Sequence, residues 1–291
     1  EIMKPIKILD KRGTFRMGIS GLSLIAAAGG FGMICLDMPG DRNGVHQESD
    51  AKLAQMLQPD VFYLSETVGQ RGFHAYKGLQ KAANYIEGEL KKSGYTVKRN
   101  DYKVKAEEIG KEYLKLGFSP EQVFSNIYVE VKGTEKPDEY IVIGAHYDSV
   151  CVSTCKGADD NATGVAATLA LARYFADKPQ KCSLIFVAFA NEEPPFFHTE
   201  TMGSMVFARM LKKENRKIRG MIAFDTIGYY SDEPGSQNYP PPLDQYYPDK
   251  GNFIAFVSNM SSTGFLRDCV GTFRKNSSLP SEGTAVPSFI P

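Results

Sequence analysis

Residues 140–193 read YIVIGAHYDSVCVSTCKGADDNATGVAATLALARYFADKPQKCSLIFVAFANEE. The order of apolar and acidic blocks in this stretch decides the fold. Residues 140–145 form a nearly all-apolar run of strand length, the pattern of a strand covered on both faces. A helix is predicted over 162–175, and a second apolar strand over 183–190. Each strand ends in polar chemistry: His146 and Asp148 after the first, Glu192 and Glu193 after the second. Asp159 and Asp160 lie between them, directly before the helix.

The alternation continues outward. A helix over about 202–213 and a strand over 219–224 follow, and that strand runs into Asp225. Upstream, Leu79, Ala83, Ile86 and Leu90 share one helical face, with Lys91, Lys92 and Gly94 marking the carboxyl end. Residues 95–104 alternate loosely, as an edge strand does, and 126–131 read as a further strand. Strands alternating with helices predict an α/β fold: a mostly parallel (mixed) central sheet with helices on both faces. In such sheets ligands collect at the carboxyl ends of the strands. His146, Glu192, Glu193 and Asp225 all stand there. Residues 232–251, with five prolines, are expected as a surface loop.

The chain has 291 residues, 42% of them hydrophobic, enough for a sizeable core. Its 34 basic and 34 acidic residues cancel, so nothing in the charge balance argues for a nucleic-acid partner. The five cysteines (Cys35, Cys151, Cys155, Cys182 and Cys269) form no CxxC pair. Cys151 and Cys155 would be close enough to pair in an oxidising compartment; unpaired thiols are the simpler reading.

Residues 1–16 carry Lys4, Lys7, Lys11, Arg12 and Arg16 against Glu1 and Asp10, and 17–36 contain no charge. Twenty uncharged residues match one helical crossing of a bilayer. The expected organisation is a cytoplasmic basic tail (1–16), a transmembrane helix or signal anchor (17–36) and a polar linker (37–58). The basic flank places the remainder outside the cytoplasm, periplasmic or extracellular. Secretion after signal cleavage is the alternative.

Singly, the candidate residues have ordinary explanations. A histidine after a strand is usually a satisfied polar group, and an Asp before a helix usually caps it. Two adjacent acids exceed what capping requires, however, and four strand-end groups converge on one edge of one sheet. Imidazole and carboxylates without thiolates suit zinc, manganese or cobalt. In HxD spacing Asp148 lies on the same side as His146 and can orient a neighbouring group.

At these residues the chain resembles the co-catalytic di-zinc aminopeptidases, a family that includes glutaminyl cyclases and transferrin-receptor-like ectodomains. The matching motifs are GAHYDS (144–149), GADDNATG (157–164), NEEPPFF (191–197) with MGS (202–204), and AFDTIGYY (223–230). The resemblance implies a zinc-exopeptidase fold over 59–291 and hydrolysis of amino-terminal peptide bonds by a water that two Zn2+ ions activate. It makes Asp160 the bridging ligand, His146 and Asp225 ligands of one zinc, and Glu193 a ligand of the other. Glu192 becomes the general base and Asp148 the partner that orients His146. The family's second zinc takes a further downstream His, whereas the chain's histidines are His46, His74, His146 and His198. A second site left incomplete, and a domain incomplete at its carboxyl end, are therefore expected. The substrate implied is a peptide with a free amino terminus. A single-zinc glutaminyl cyclase and an inactive receptor-like ectodomain are the alternatives.

Overall fold

A computed structural model describes residues 38–45, 51–239 and 243–287. The chain divides into two compact units, one of residues 49–229 and one of 1–48 with 230–291. The expected membrane segment, 17–36, lies outside the described residues. Among the described residues no helix is long and apolar enough to cross a membrane.

The larger unit is built on a five-stranded sheet. Its strands are β1 (Lys98–Tyr102), β2 (Phe124–Val131), β3 (Lys136–His146), β4 (Cys182–Phe189) and β5 (Lys217–Ala223), in the order β1-β2-β4-β3-β5. β3 runs parallel to both β4 and β5, while β1–β2 and β2–β4 are antiparallel. The sheet is thus evenly mixed, not mostly parallel. The parallel half is the half that alternates with helices in sequence, and it carries the site.

Alternation along each strand feeds two cores. Leu184, Phe186 and Ala188 of β4 join Ile127, Val129, Ile143 and Ala145 on one face. Ile185, Val187 and Phe189 join Tyr128, Tyr140 and Val142 on the other. Burial on both faces is why these strands read as continuous apolar runs. The first face is covered by the helices α2 (Tyr76–Lys92) and α4 (Gly164–Phe175), which bury Leu79, Ala83, Ile86, Leu90 and Leu169. α2 ends as its sequence predicts: Gly94 (φ 85°) donates its N–H to the Lys91 carbonyl at 3.0 Å. A short helix, α3 (Lys111–Lys115), lies between β1 and β2. The second face is covered by α5 (Gly203–Lys213) through Phe207 and Leu211.

The expected linker is structured where it is described. A helix, α1 (Ala51–Phe62), spans its second half and runs through Pro59. Its proline argues against a helix, but tertiary contacts override it. Asp60, only 2% exposed, accepts from Arg173 Nη1 at 2.6 Å and from the Tyr85 hydroxyl at 2.6 Å. Arg173 also reaches Glu89 at 2.8 Å, so one network joins α1, α2 and α4.

In the smaller unit β6 (Ile254–Asn259) and β7 (Ser281–Val286) pair in parallel across the helix α6 (Thr263–Asn276). Met38 packs with Leu266, Val270 and Ala285. Buried Arg274 donates to the carbonyls of Met38 and Gly40, both at 3.1 Å, and to that of Ser281 at 2.6 Å. The first part of the expected linker is thereby part of this unit's core. Residues 231–239 and 243–253 form the expected irregular segment, relieved by one turn at Leu243–Gln245.

Removing one member of a buried ion pair strands the other. Asp60→Ala should therefore cost about 2–3 kcal/mol, somewhat under the usual penalty for a fully buried pair because Glu89 still holds Arg173. A fall in urea midpoint at constant m-value would register it; an unchanged midpoint would show that α1 contributes nothing to the unit.

Candidate metal centre

His146 is the last residue of β3, registered against Phe189 of β4 and 5% exposed. After it, the Tyr147 N–H donates to the Phe189 carbonyl at 2.9 Å and extends the pairing beyond the strand. Asp148 is buried at 2% exposure. Its carboxylate accepts the backbone N–H of Glu192 at 3.0 Å and that of Glu193 at 3.0 Å, and lies 3.3 Å from His146 Nδ1. Burial alone would raise the Asp148 pKa, but the imidazole and the two amides hold it below the usual carboxylate value. One carboxylate thus fastens the end of β3 to the end of β4. Between those ends, Asn191 takes a left-handed backbone (φ 58°), a conformation Asn tolerates better than most residues.

Asp160 lies in the turn before α4, with non-helical backbone angles (φ −102°, ψ 97°). The helix therefore starts two residues later than the sequence pattern suggests. Capping falls to Asn161, whose Oδ1 accepts the Gly164 N–H at 2.9 Å while Nδ2 donates to the Phe224 carbonyl at 2.8 Å. Asp159 Oδ1 accepts the Gly228 N–H at 2.8 Å, and Thr163 Oγ1 that of Ile227 at 3.3 Å. These bonds hold the segment carrying Asp225 on both sides of Thr226, which itself has a positive φ of 46°. A β-branched residue in that region costs about 1–3 kcal/mol and persists only where its surroundings enforce it.

The side chains converge on His146 Nε2. Asp160 Oδ1 is 3.0 Å away, Asp225 Oδ1 3.7 Å and Glu192 Oε2 3.8 Å. One donor atom each from His146, Asp160 and Asp225 lies within 4.8 Å of the others. Among the described residues no other group of three such side chains closes this far, and Glu193 stands outside it. The side chains of His146 and Asp148 are 4% and 3% exposed, against 27% for Glu192, 47% for Asp160 and 54% for Asp225. The imidazole is the floor and the acids are the rim.

Electrostatics mark the same spot. Burial pushes Glu192 and Glu193 up to about 7, helped by the charges of Asp148 and Asp160 and, at Glu192, Asp225. Burial works against a charged His146, yet Asp148, Asp160 and Asp225 outweigh it and raise its pKa well above the usual value. Both nitrogens of His146, Asp160 Oδ1 and Glu193 Oε1 are buried without a well-formed hydrogen bond, although the Asp148 and Asp160 carboxylates stand 3.3 and 3.0 Å from the imidazole. Unpaired buried donors and acceptors are rare because each costs about 1–3 kcal/mol. A nitrogen–oxygen donor set, crowded negative charge and lone pairs facing one space together fit a divalent cation such as zinc.

All six predicted residues therefore lie in one neighbourhood, and the structure adds others. Asn161 is adjacent to the predicted ligand and was legible only as a helix cap. Asn126 of β2 accepts the Ala190 N–H at 3.1 Å and donates to the Gly203 carbonyl at 2.9 Å, bracing the carboxyl end of β4. Arg71, 0% exposed, lies far upstream in sequence. Neither Asn126 nor Arg71 sits in a pattern that sequence reading could single out. Four of the cysteines are described, and all four are free thiols.

The chain is 36% identical over 244 residues to the uncharacterized protein YfbL of Escherichia coli (strain K12), covering 81% of this chain and 69% of that one. It is 35% identical over 118 residues to a probable zinc metalloprotease of Pyrenophora tritici-repentis, of which it spans 26%. Two solved structures share the fold. The zinc aminopeptidase BSAP from Bacillus subtilis has a TM-score of 0.50 at 18% identity, over 63% of this chain and 71% of that one. An Acidobacteriales bacterium glutaminyl cyclase has a TM-score of 0.59 at 17% identity, over 83% and 77%. A family model matches residues 126–259, a span that holds His146, Asp148, Asp160, Glu192, Glu193 and Asp225, and with the YfbL likeness it establishes that the chain belongs to peptidase family M28.

Proposed function

We propose that the protein is a zinc aminopeptidase acting on peptides with a free amino terminus, anchored to a membrane through residues 17–36 with its catalytic domain outside the cytoplasm. The observation that carries the reading is the placement of Glu192: its carboxylate lies 3.8 Å from His146 Nε2, beside the three-donor cluster, and its pKa is pushed to about 7. His146, Asp160 and Asp225 would hold one zinc; Asp160 and Glu193 would contribute to a second. When bound, zinc supplies Lewis-acid polarisation of the scissile carbonyl and lowers the pKa of water.

The protein's own groups do the rest. Glu192 takes a proton from the attacking water and returns it to the departing amine. A carboxyl group near 7 before a cation arrives is drawn down by that cation, which keeps it within reach of both steps at neutral pH. Asp148 holds His146 from behind through Nδ1, leaving Nε2 to face the cluster. It also fixes the main chain of Glu192, so base and ligand keep their spacing. A single-zinc cyclase is the second reading, favoured by the one donor set that closes among the described residues. An aminoacyl-nitroanilide and a glutaminyl peptide, offered to the same zinc-loaded preparation, separate the two.

Three outcomes are expected. Glu192→Gln should keep its zinc, measured by elemental analysis, while kcat falls about 10²–10⁴-fold, the usual contribution of a general base. Near-normal turnover in that variant would remove Glu192 from the role. Asp148→Asn should weaken zinc binding about 10–100-fold in a chelator competition, as loss of a ligand-orienting group does. Recovery of the full chain in carbonate-washed membranes, with the domain cleaved by added protease in spheroplasts, is expected for the anchor; a soluble, protected domain would defeat that part.

A further inference from the structure

Arg71 carries a charge with no exposed surface, and its partners are unusual. Nε donates to the Tyr147 carbonyl at 2.8 Å, and Nη1 to those of Leu64 at 3.2 Å, Gly69 at 3.1 Å and Lys156 at 2.7 Å. Nη2 donates to the Gly157 carbonyl at 2.5 Å. The main chain of Arg71 bonds Ser149 in both directions, N–H to Oγ at 3.1 Å and carbonyl to N–H at 2.7 Å. Every side-chain acceptor is a neutral carbonyl. An isolated buried cation costs several kcal/mol, so a site that needed only a loop staple would use a neutral donor. Burial works against its charge, and the carboxylates of Asp148, Asp160 and Glu193 act in its favour.

The geometry points to Arg71 as a positioning residue of the metal centre: its guanidinium binds the segment around His146 and Asp148 to the turn that presents Asp160, and so sets the distance between ligands from different elements. Two of its acceptors decide this. Tyr147 lies between His146 and Asp148, and Gly157 precedes the Asp159-Asp160 pair. The rigid fork reaches both at once, which a lysine, with one nitrogen, cannot do. Gly157 is fitted to the contact: its φ is +60°, and a Cβ there would lie 2.8 Å from Nη2 and 2.6 Å from the Asp160 carbonyl oxygen. The inference rests on the zinc reading for its consequence, though not for its geometry.

The test uses Arg71→Lys in the full chain, with near-UV circular dichroism to establish folding. Amide exchange over residues 149–161, measured without metal, should quicken relative to the rest of the sheet. Zinc affinity should fall about 10–100-fold, as for other groups that orient ligands. The visible absorption of the cobalt(II)-substituted protein should change, and kcat should fall with KM little altered. A variant that loses only thermal stability, with segment exchange, zinc affinity and cobalt spectrum unchanged, would overturn the proposal. Should Arg71→Lys not fold, Gly157→Ala disturbs the same contact from the acceptor side, with the same expected and contrary results. Wild-type protein that binds no zinc would sink the functional reading alone, because amide exchange still decides the claim about Arg71.

Discussion

Five carboxylates crowd one imidazole, with His146 and Asp148 buried beneath acids that stay partly open to solvent. Burial first, and the neighbouring carboxylates second, raise the pKa values of Glu192 and Glu193. The rest of the larger unit reads as the means of enforcing the crowding. β3, β4 and β5 end side by side because they are parallel neighbours. Asp148 ties the first two ends together, and Asn161 ties the start of α4 to the third.

Much of this was legible in the sequence because two signals coincide there. Strands buried on both faces leave plain apolar runs, and several acids placed directly after such runs on one sheet edge exceed what surface charge requires. The helix over α2 was equally plain, since its apolar spacing, basic end and closing glycine agree. Misreadings arose where long-range contacts outvote local ones. α1 contains a proline, and it is held by Arg173 and Tyr85, more than twenty residues away in sequence. Residues 38–45 look like a linker because the partner that orders them, Arg274, lies at the other end of the chain. The sheet proved evenly mixed because the antiparallel pairing of β2 with β4 has no local signature.

At the site, residue types were readable and supports were not. His146, Asp160 and Asp225 are chemically conspicuous, whereas Arg71 and Asn126 are conspicuous only once their partners are known. An arginine that donates to five carbonyls from four separate stretches of chain leaves no periodic trace. Candidate metal-binding residues stand out by chemistry and location; their hydrogen-bonding partners emerge only from the fold.

Asp148 grips the main chain of residues 192 and 193, not their side chains. Where those two residues stand is thereby separated from what they are. A replacement at either position inherits a fixed address, and a change in reactivity need not loosen the frame. A scaffold arranged this way can exchange one chemistry for another by small steps, each tolerated by a backbone that does not register the difference. A zinc aminopeptidase and a glutaminyl cyclase share this fold.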